Sequence, residues 1–329
     1  MIASAAELLE ELAARGVIAE IRTSPSAGRP LDRPWYVGLL LGIAGWIAGA
    51  CLLLIIALTF TSHDGATVLV LGIVLIGAAW ALFRIDRNGA FVPQLALALS
   101  VAGQFATLFG LGDLVRGSHE IAGIALAALV LQAGLVYLMP NRLHRAMSAL
   151  FAATAWALLV RYGLWDRSEG IATGSARSPA LAFLGWALAW PPVAGLLYYL
   201  VREEPRWMAA GLAAIARPAA TGLVVALALA TLLSEPFALF EWGDSASVRS
   251  GWLAIWPILS VFAALGALAA AFALGERGLA AVCIACALAH LSHFYYAMGG
   301  TLVVKSLALL ALGAVLLAAA QGLRRKAAP

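Results

Sequence analysis

The sequence predicts an all-α fold: a polytopic transmembrane bundle of about ten helices, preceded by a short N-terminal cytosolic helix. Three observations predict it. Ten apolar stretches, each near the ~20 residues a helix needs to cross a bilayer, fill residues 36 to 320 and leave little between them. Hydrophobic residues make up 63% of the chain and charged residues 12%, against roughly 25% charged in soluble domains. Lys and Arg collect in alternate connections, the bias that sets the orientation of membrane helices. The chain divides into a cytosolic helix and linker (1–34), a transmembrane bundle (35–323) and a basic cytosolic tail (324–329).

The elements follow in order. Ser4 is placed to cap a short helix, with Glu7 three residues on completing a capping box. Leu8, Leu9 and Leu12 give that helix one apolar stripe, and Gly16 ends it. Its acidic residues argue against binding to anionic lipid, so docking onto a partner or the cytosolic loops is the expectation. A Pro/Gly/Ser-rich linker (23–34) leads to the first span, an uncleaved insertion signal because no continuous apolar core precedes it. The spans run over 36–60, 66–83, 91–110, 120–139, 146–163, 180–200, 212–233, 252–274, 279–297 and 301–320. The seventh admits a second reading, in which 207–217 lies at the interface and Pro218 begins the span at the first helical position.

Orientation comes from the basic residues. With the N-terminus inside, fourteen of the 21 Lys and Arg fall on the cytoplasmic side and four (Arg116, Arg167, Arg177, Arg249) on the other. Both termini are therefore expected in the cytoplasm. The opposite loops carry carboxylates, among them Asp64, Asp113, Asp166, Glu169, Glu235, Glu241 and Asp244. Because the basic residues sit beside spans, the net charge of +4 reflects topology and no nucleic-acid partner is expected. The expected partners are the lipid bilayer and other multi-pass membrane proteins.

Chemistry-bearing residues are few. Cys283, Cys286, His290 and His293 share one face of the ninth span, but the ends of that stripe are ~15 Å apart along the axis at 1.5 Å per residue. One ion cannot reach all four, and no metal or cofactor is expected. Lys305 is the one lysine inside a span, and an intramembrane ionisable residue is a functional hypothesis by default. With His290, His293, Tyr295 and Tyr296 it forms a candidate polar patch around the hairpin tipped by Met298, Gly299 and Gly300. Pro191 and Pro192 fall near the middle of the sixth span, where two missing donors predict a helix break; broken helices are where transporters place substrate sites. There is no Walker loop, HExxH or GxSxG motif and no carboxylate deep in a span, so no catalytic residues are proposed and the chain does not read as an enzyme.

Three segments resemble a family of polytopic bacterial membrane proteins, domain-of-unknown-function family 4401. They are Gln94 to Ser100 with Gly103 and Gln104; Pro140 to Arg145 followed by Met147 to Leu150; and His293 to Tyr296 with Thr301 to Leu307. Val303 is a conservative departure from the family's usual pattern. The resemblance implies an inner-membrane location. It also implies neighbours from a second multi-span family of unknown function and from a small membrane protein with a GDYxxLxY motif. It implies no activity. Few buried charges and the acidic N-terminal helix favour a non-catalytic subunit of a membrane assembly. The predicted helix break and Lys305 favour the alternative, a small-molecule or ion permease.

Overall fold

The computed structural model describes residues 35–59, 64–85, 91–115, 120–165, 179–230, 255–297 and 301–327. The N-terminal helix, the linker and the loop carboxylates Asp166, Glu169, Glu235, Glu241 and Asp244 lie outside these residues. The described residues form eleven helices and no strand: α1 (Trp35–Thr59), α2 (Gly65–Ile85), α3 (Phe91–Leu114), α4 (Glu120–Leu138), α5 (Arg142–Trp165), α6 (Pro179–Arg202), α7 (Glu204–Ala209), α8 (Ala213–Ala228), α9 (Ile255–Ala273), α10 (Arg277–Ala297) and α11 (Leu302–Ala327). Ten of them coincide with the ten apolar stretches. Among the described residues, five segments are long and apolar enough to cross a membrane: Gly65–Ile85, Phe91–Leu114, Ile121–Leu138, Arg142–Val160 and Leu184–Arg202.

Glycines set the closest helix pair. Gly65 and Gly72 on α2 are seven residues apart, as are Gly103 and Gly110 on α3, so each pair lies on one helix face two turns apart. The faces meet antiparallel, Gly65 beside Gly110 and Gly72 beside Gly103. A Cβ added at Gly103 would sit 2.7 Å from the Gly72 carbonyl oxygen. This is the small-residue packing that brings membrane helices together without a hydrophobic drive. The start of α2 is closed by carboxylates: the Gly65 amide donates to Asp113 Oδ2 at 3.0 Å, and the Thr67 amide to Asp64 Oδ1 at 3.2 Å. Gly45 and Gly49 lay α1 on α3 in the same way, against Gln94 and Ala98.

Two apolar cores result. One joins α2, α3 and α4 through Leu75, Phe83, Leu97, Leu135 and Met139. The other joins α5, α6, α8, α9 and α10 through residues such as Ala153, Trp190, Val224, Ala267 and Cys283. Helix α5 packs along both α4 and α8 and links the two halves.

The expected break in the sixth span is corrected, and the seventh helix begins beside the start that the first of its two readings gives. Helix α6 does not break at Pro191 and Pro192; it runs helical from Pro179 to Arg202 with both prolines inside it. Pro192 has no N–H for the Leu188 carbonyl four residues back, and Trp156 Nε1 of α5 donates to that oxygen instead, at 3.2 Å. Pro218 does not begin its helix either: α8 starts at Ala213 and carries Pro218 inside. The carbonyl freed there, Ala214, accepts from Arg145 Nη1 at 2.6 Å. A protein donor from α5 thus meets the carbonyl freed by Pro192 and the one freed by Pro218.

Two tight turns use left-handed glycines. Gly211 (φ +72°) ends α7 and Gly275 (φ +73°) ends α9. In each, the residue after the glycine donates to the carbonyl five back, Leu212 to Trp207 at 2.9 Å and Glu276 to Ala271 at 3.1 Å, the arrangement in which a glycine closes a helix C-terminus. Helix α11 stands apart: among the described residues it alone packs along no other helix.

Candidate functional site

The most concentrated polar chemistry among the described residues lies where α3, α4 and α5 meet. Asn141 starts it. Its side-chain oxygen accepts from the His144 amide at 3.0 Å, so it caps α5 at the third helical residue. This happens three residues after α4 ends, which folds α5 back along α4. Ser100 and Gln104 lie one turn apart on α3, and His144 and Ser148 one turn apart on α5. Each pair therefore shares a helix face, and the two faces converge.

The resulting chain of hydrogen bonds is continuous. Gln132 Nε2 of α4 donates to Gln104 Oε1 at 2.7 Å. Gln104 Nε2 donates to Ser100 Oγ at 3.1 Å and also approaches His144 Nε2, at 3.3 Å. Ser100 Oγ lies 2.7 Å from His144 Nε2, and Ser148 Oγ 3.2 Å from His144 Nδ1. An amide nitrogen only donates. His144 Nε2 must then be an acceptor, with Ser100 donating to it and the ring proton on Nδ1 directed at Ser148. Phe83 of α2 stands edge-on to the imidazole, ring centroids 5.9 Å apart. Ser100, Gln104, Gln132, His144 and Ser148 are all at least 96% buried. One polar atom is left over: Gln132 Oε1 is buried with no partner.

Beside this network, α3, α4 and α5 leave a groove of about 380 Å³, open on one side, where Phe105 and Ile121 are exposed. Gln104 and Gln132 form its polar end. Phe105, Leu108, Ile124, Ala128, Phe151 and Leu158 are among its apolar walls, and no charged side chain lines it.

The sequence-predicted patch is divided between separate places. His290 is buried, and its Nε2 donates to the Ala228 carbonyl at 2.8 Å, closing the C-terminal end of α8 where a carbonyl lacks a helical donor. Tyr295 is five residues further on, about 140° around the helix at 100° per residue, and meets Lys305. The Lys305 ammonium lies 4.9 Å from the centre of the Tyr295 ring. The side chains of His293 and Tyr296, and the tip 298–300, lie outside the described residues. Of the cysteines, Cys283 is buried in the second core and Cys286 packs half-buried beside it. Pro191 and Pro192 are exposed on α6 and line no cavity described here.

Apolar helices long enough to cross a membrane, tied by glycine contacts and by buried Ser, Gln and His side chains, make up an integral membrane protein of the all-helical class. The chain belongs to the family described as Domain of unknown function (DUF4401), whose model matches residues 34–247 and 251–326. No curated protein and no solved structure matches it.

Reasoning from the sequence did not single out Ser100, Gln104, Gln132 or His144 as site residues. Two signals were present: polar pairs at i and i+4 within otherwise apolar spans, and their place in two of the three segments that carry the family resemblance. Gln132 had neither. Its role depends on α4 folding against α3, which no local pattern encodes.

Proposed function

We propose that this protein is a non-catalytic subunit of a membrane protein assembly in the bacterial inner membrane, crossing it ten times with both termini in the cytoplasm. The observation that carries this reading is α11. It is a 26-residue helix, apolar in its first half, that among the described residues packs along no other helix, with Leu302, Val303, Leu307 and Leu310 all at least 60% exposed. The other described helices each pack along at least one neighbour. A helix so little held by its own chain is suited to packing against another multi-pass protein. The alternative, a permease with its site at a broken sixth span and an outer His/Tyr/Lys patch, loses its first support because α6 continues through Pro191 and Pro192.

The test uses the full-length protein in its native membrane. A photo-crosslinking residue is placed at Leu307 or Leu310, and the protein is extracted with its lipid. Adducts with a second membrane protein are the expected result. Lipid adducts alone, with the chain migrating by itself, would overturn the reading. A reporter fused after Lys326 should be active only on the cytoplasmic side, and an external signal would refute an even number of crossings.

A further inference from the structure

The short helix α7 makes an elbow between α6 and α8. The segment Leu184–Arg202 of α6 is long and apolar enough to cross a membrane, and α7 begins just past its end. Pro205 opens α7 in its first turn and the left-handed Gly211 closes the turn after it. Both neighbours hold the elbow. Trp207 stands edge-on to Tyr199 of α6, ring centroids 6.0 Å apart, and Arg217 Nε of α8 donates to Glu204 Oε1 at 2.6 Å. The elbow is thereby fixed at the level where the apolar run of α6 ends.

Its side chains sort by face. Glu204 and Trp207, three residues apart, share the side turned toward α6 and α8. Arg206 and Met208 flank that side. At 100° per residue they are about 200° apart, so they point in nearly opposite directions. Arg206 is exposed on its flank and paired with Glu203; Met208 is exposed on the other, and Leu212 is exposed at the following turn. Both carboxylates of the elbow are therefore met by arginines. One turn back, Arg202 Nη1 donates to the hydroxyl of the exposed Tyr198 at 2.7 Å. A tyrosine with a basic residue at the end of an apolar span is the signature of the membrane–water interface.

We propose that α7 lies in that interface and docks on the phospholipid surface. Met208 and Leu212 enter the boundary between headgroups and acyl chains, and Arg206 faces the phosphates and water. Lipid is favoured over a protein by extent and by charge. Two exposed apolar side chains are far short of the ~800 Å² per partner of a stable protein interface, whereas an interfacial helix needs only one apolar flank reaching ~5–10 Å into the boundary. The paired carboxylates leave no free negative charge on the elbow to repel phosphate. This inference does not depend on the subunit reading: it concerns the end of α6, not the α11 face.

The experiment places a diazirine-bearing residue at position 206, 208 or 212 of the full-length protein in nanodiscs of phosphatidylethanolamine and phosphatidylglycerol. Leu196, exposed within the apolar run of α6, is the lipid-facing reference. Lipid adducts at 208 and 212 should approach those at 196 and exceed those at 206 by about fivefold or more, as for a helix with one flank in lipid. As few lipid adducts at 208 as at 206 would overturn the proposal and leave the elbow in water. Adducts at 208 with a second protein, when the same variants are irradiated in native membranes, would also overturn it and make the elbow a protein-docking site.

Discussion

Trp156 Nε1 donates to the carbonyl of Leu188 at 3.2 Å, taking the place of the amide hydrogen that Pro192 lacks. One side chain of α5 thus meets one of the two carbonyls that the proline pair of α6 frees. In hydrocarbon the freed carbonyl would have no water to turn to, so its donor has to come from protein.

A double-mutant cycle tests this relationship. Trp156→Phe removes the donor and should lower stability by about 0.6 kcal/mol, the average measured for hydrogen bonds between membrane helices, and by no more than about 1.7 kcal/mol. In a Pro192→Ala background the amide of residue 192 can reach Leu188 itself, and the same change should cost measurably less. Thermal unfolding in a fixed lipid composition is the measurement; equal costs in both backgrounds would show that the indole contributes packing alone.

Arg145 and Pro218 give a second instance. Arg145→Ala should destabilise the protein by leaving the Ala214 carbonyl without its 2.6 Å donor, and Pro218→Ala should recover part of the loss by restoring the helical amide. Unfolding of the three variants decides it. No recovery would mean that Arg145 acts through other contacts.

Gly103 is expected to tolerate no side chain. Gly103→Val would press on the Gly72 carbonyl and on Ile76, at a cost of about 1–3 kcal/mol for overpacking a close contact. Gly266→Ala is the control, since a Cβ there meets nothing within 4 Å. Cysteines introduced in α2 and α3 should lose their crosslinking efficiency in the first variant and keep it in the second. Similar behaviour of both variants would rule out the glycine contact as the feature that joins these helices.

Ser100 and His144 should be strongly non-additive. Ser100→Ala leaves the His144 Nε2 acceptor with only the 3.3 Å approach of Gln104 and should cost about 1–3 kcal/mol, as for a buried polar atom deprived of its partner. With His144→Phe already present, that penalty should largely vanish, because the acceptor is gone. A full additional cost, read from the same unfolding curves, would show that the two residues do not act as a pair.

Much of this architecture was legible in the sequence because it depends on one-dimensional quantities. The helices coincide with the apolar stretches, since a run of that length and composition has few other stable conformations. The polar pairs Ser100/Gln104 and His144/Ser148 were visible as i, i+4 spacings. Their convergence was not, because nothing local states which helix faces which. The same limit misread the sixth span: a sequence shows that Pro192 removes a donor, but not that Trp156 on α5 stands opposite the Leu188 carbonyl left behind.

The sequence by itself determined the class of protein, the positions of its helices and the family to which it belongs, because hydrophobic length and local motifs are properties of contiguous residues. Only the tertiary structure decided which polar groups meet. It separated His290 from Lys305, because 140° of helix lies between His290 and the Tyr295 ring that Lys305 covers. It also left one atom of Gln132, Oε1, buried without a partner at the end of the Ser100–Gln104–His144 network. Hydrogen bonds between distant helices depend on packing geometry, and glycines such as Gly72 and Gly103 set that geometry through atoms they do not have.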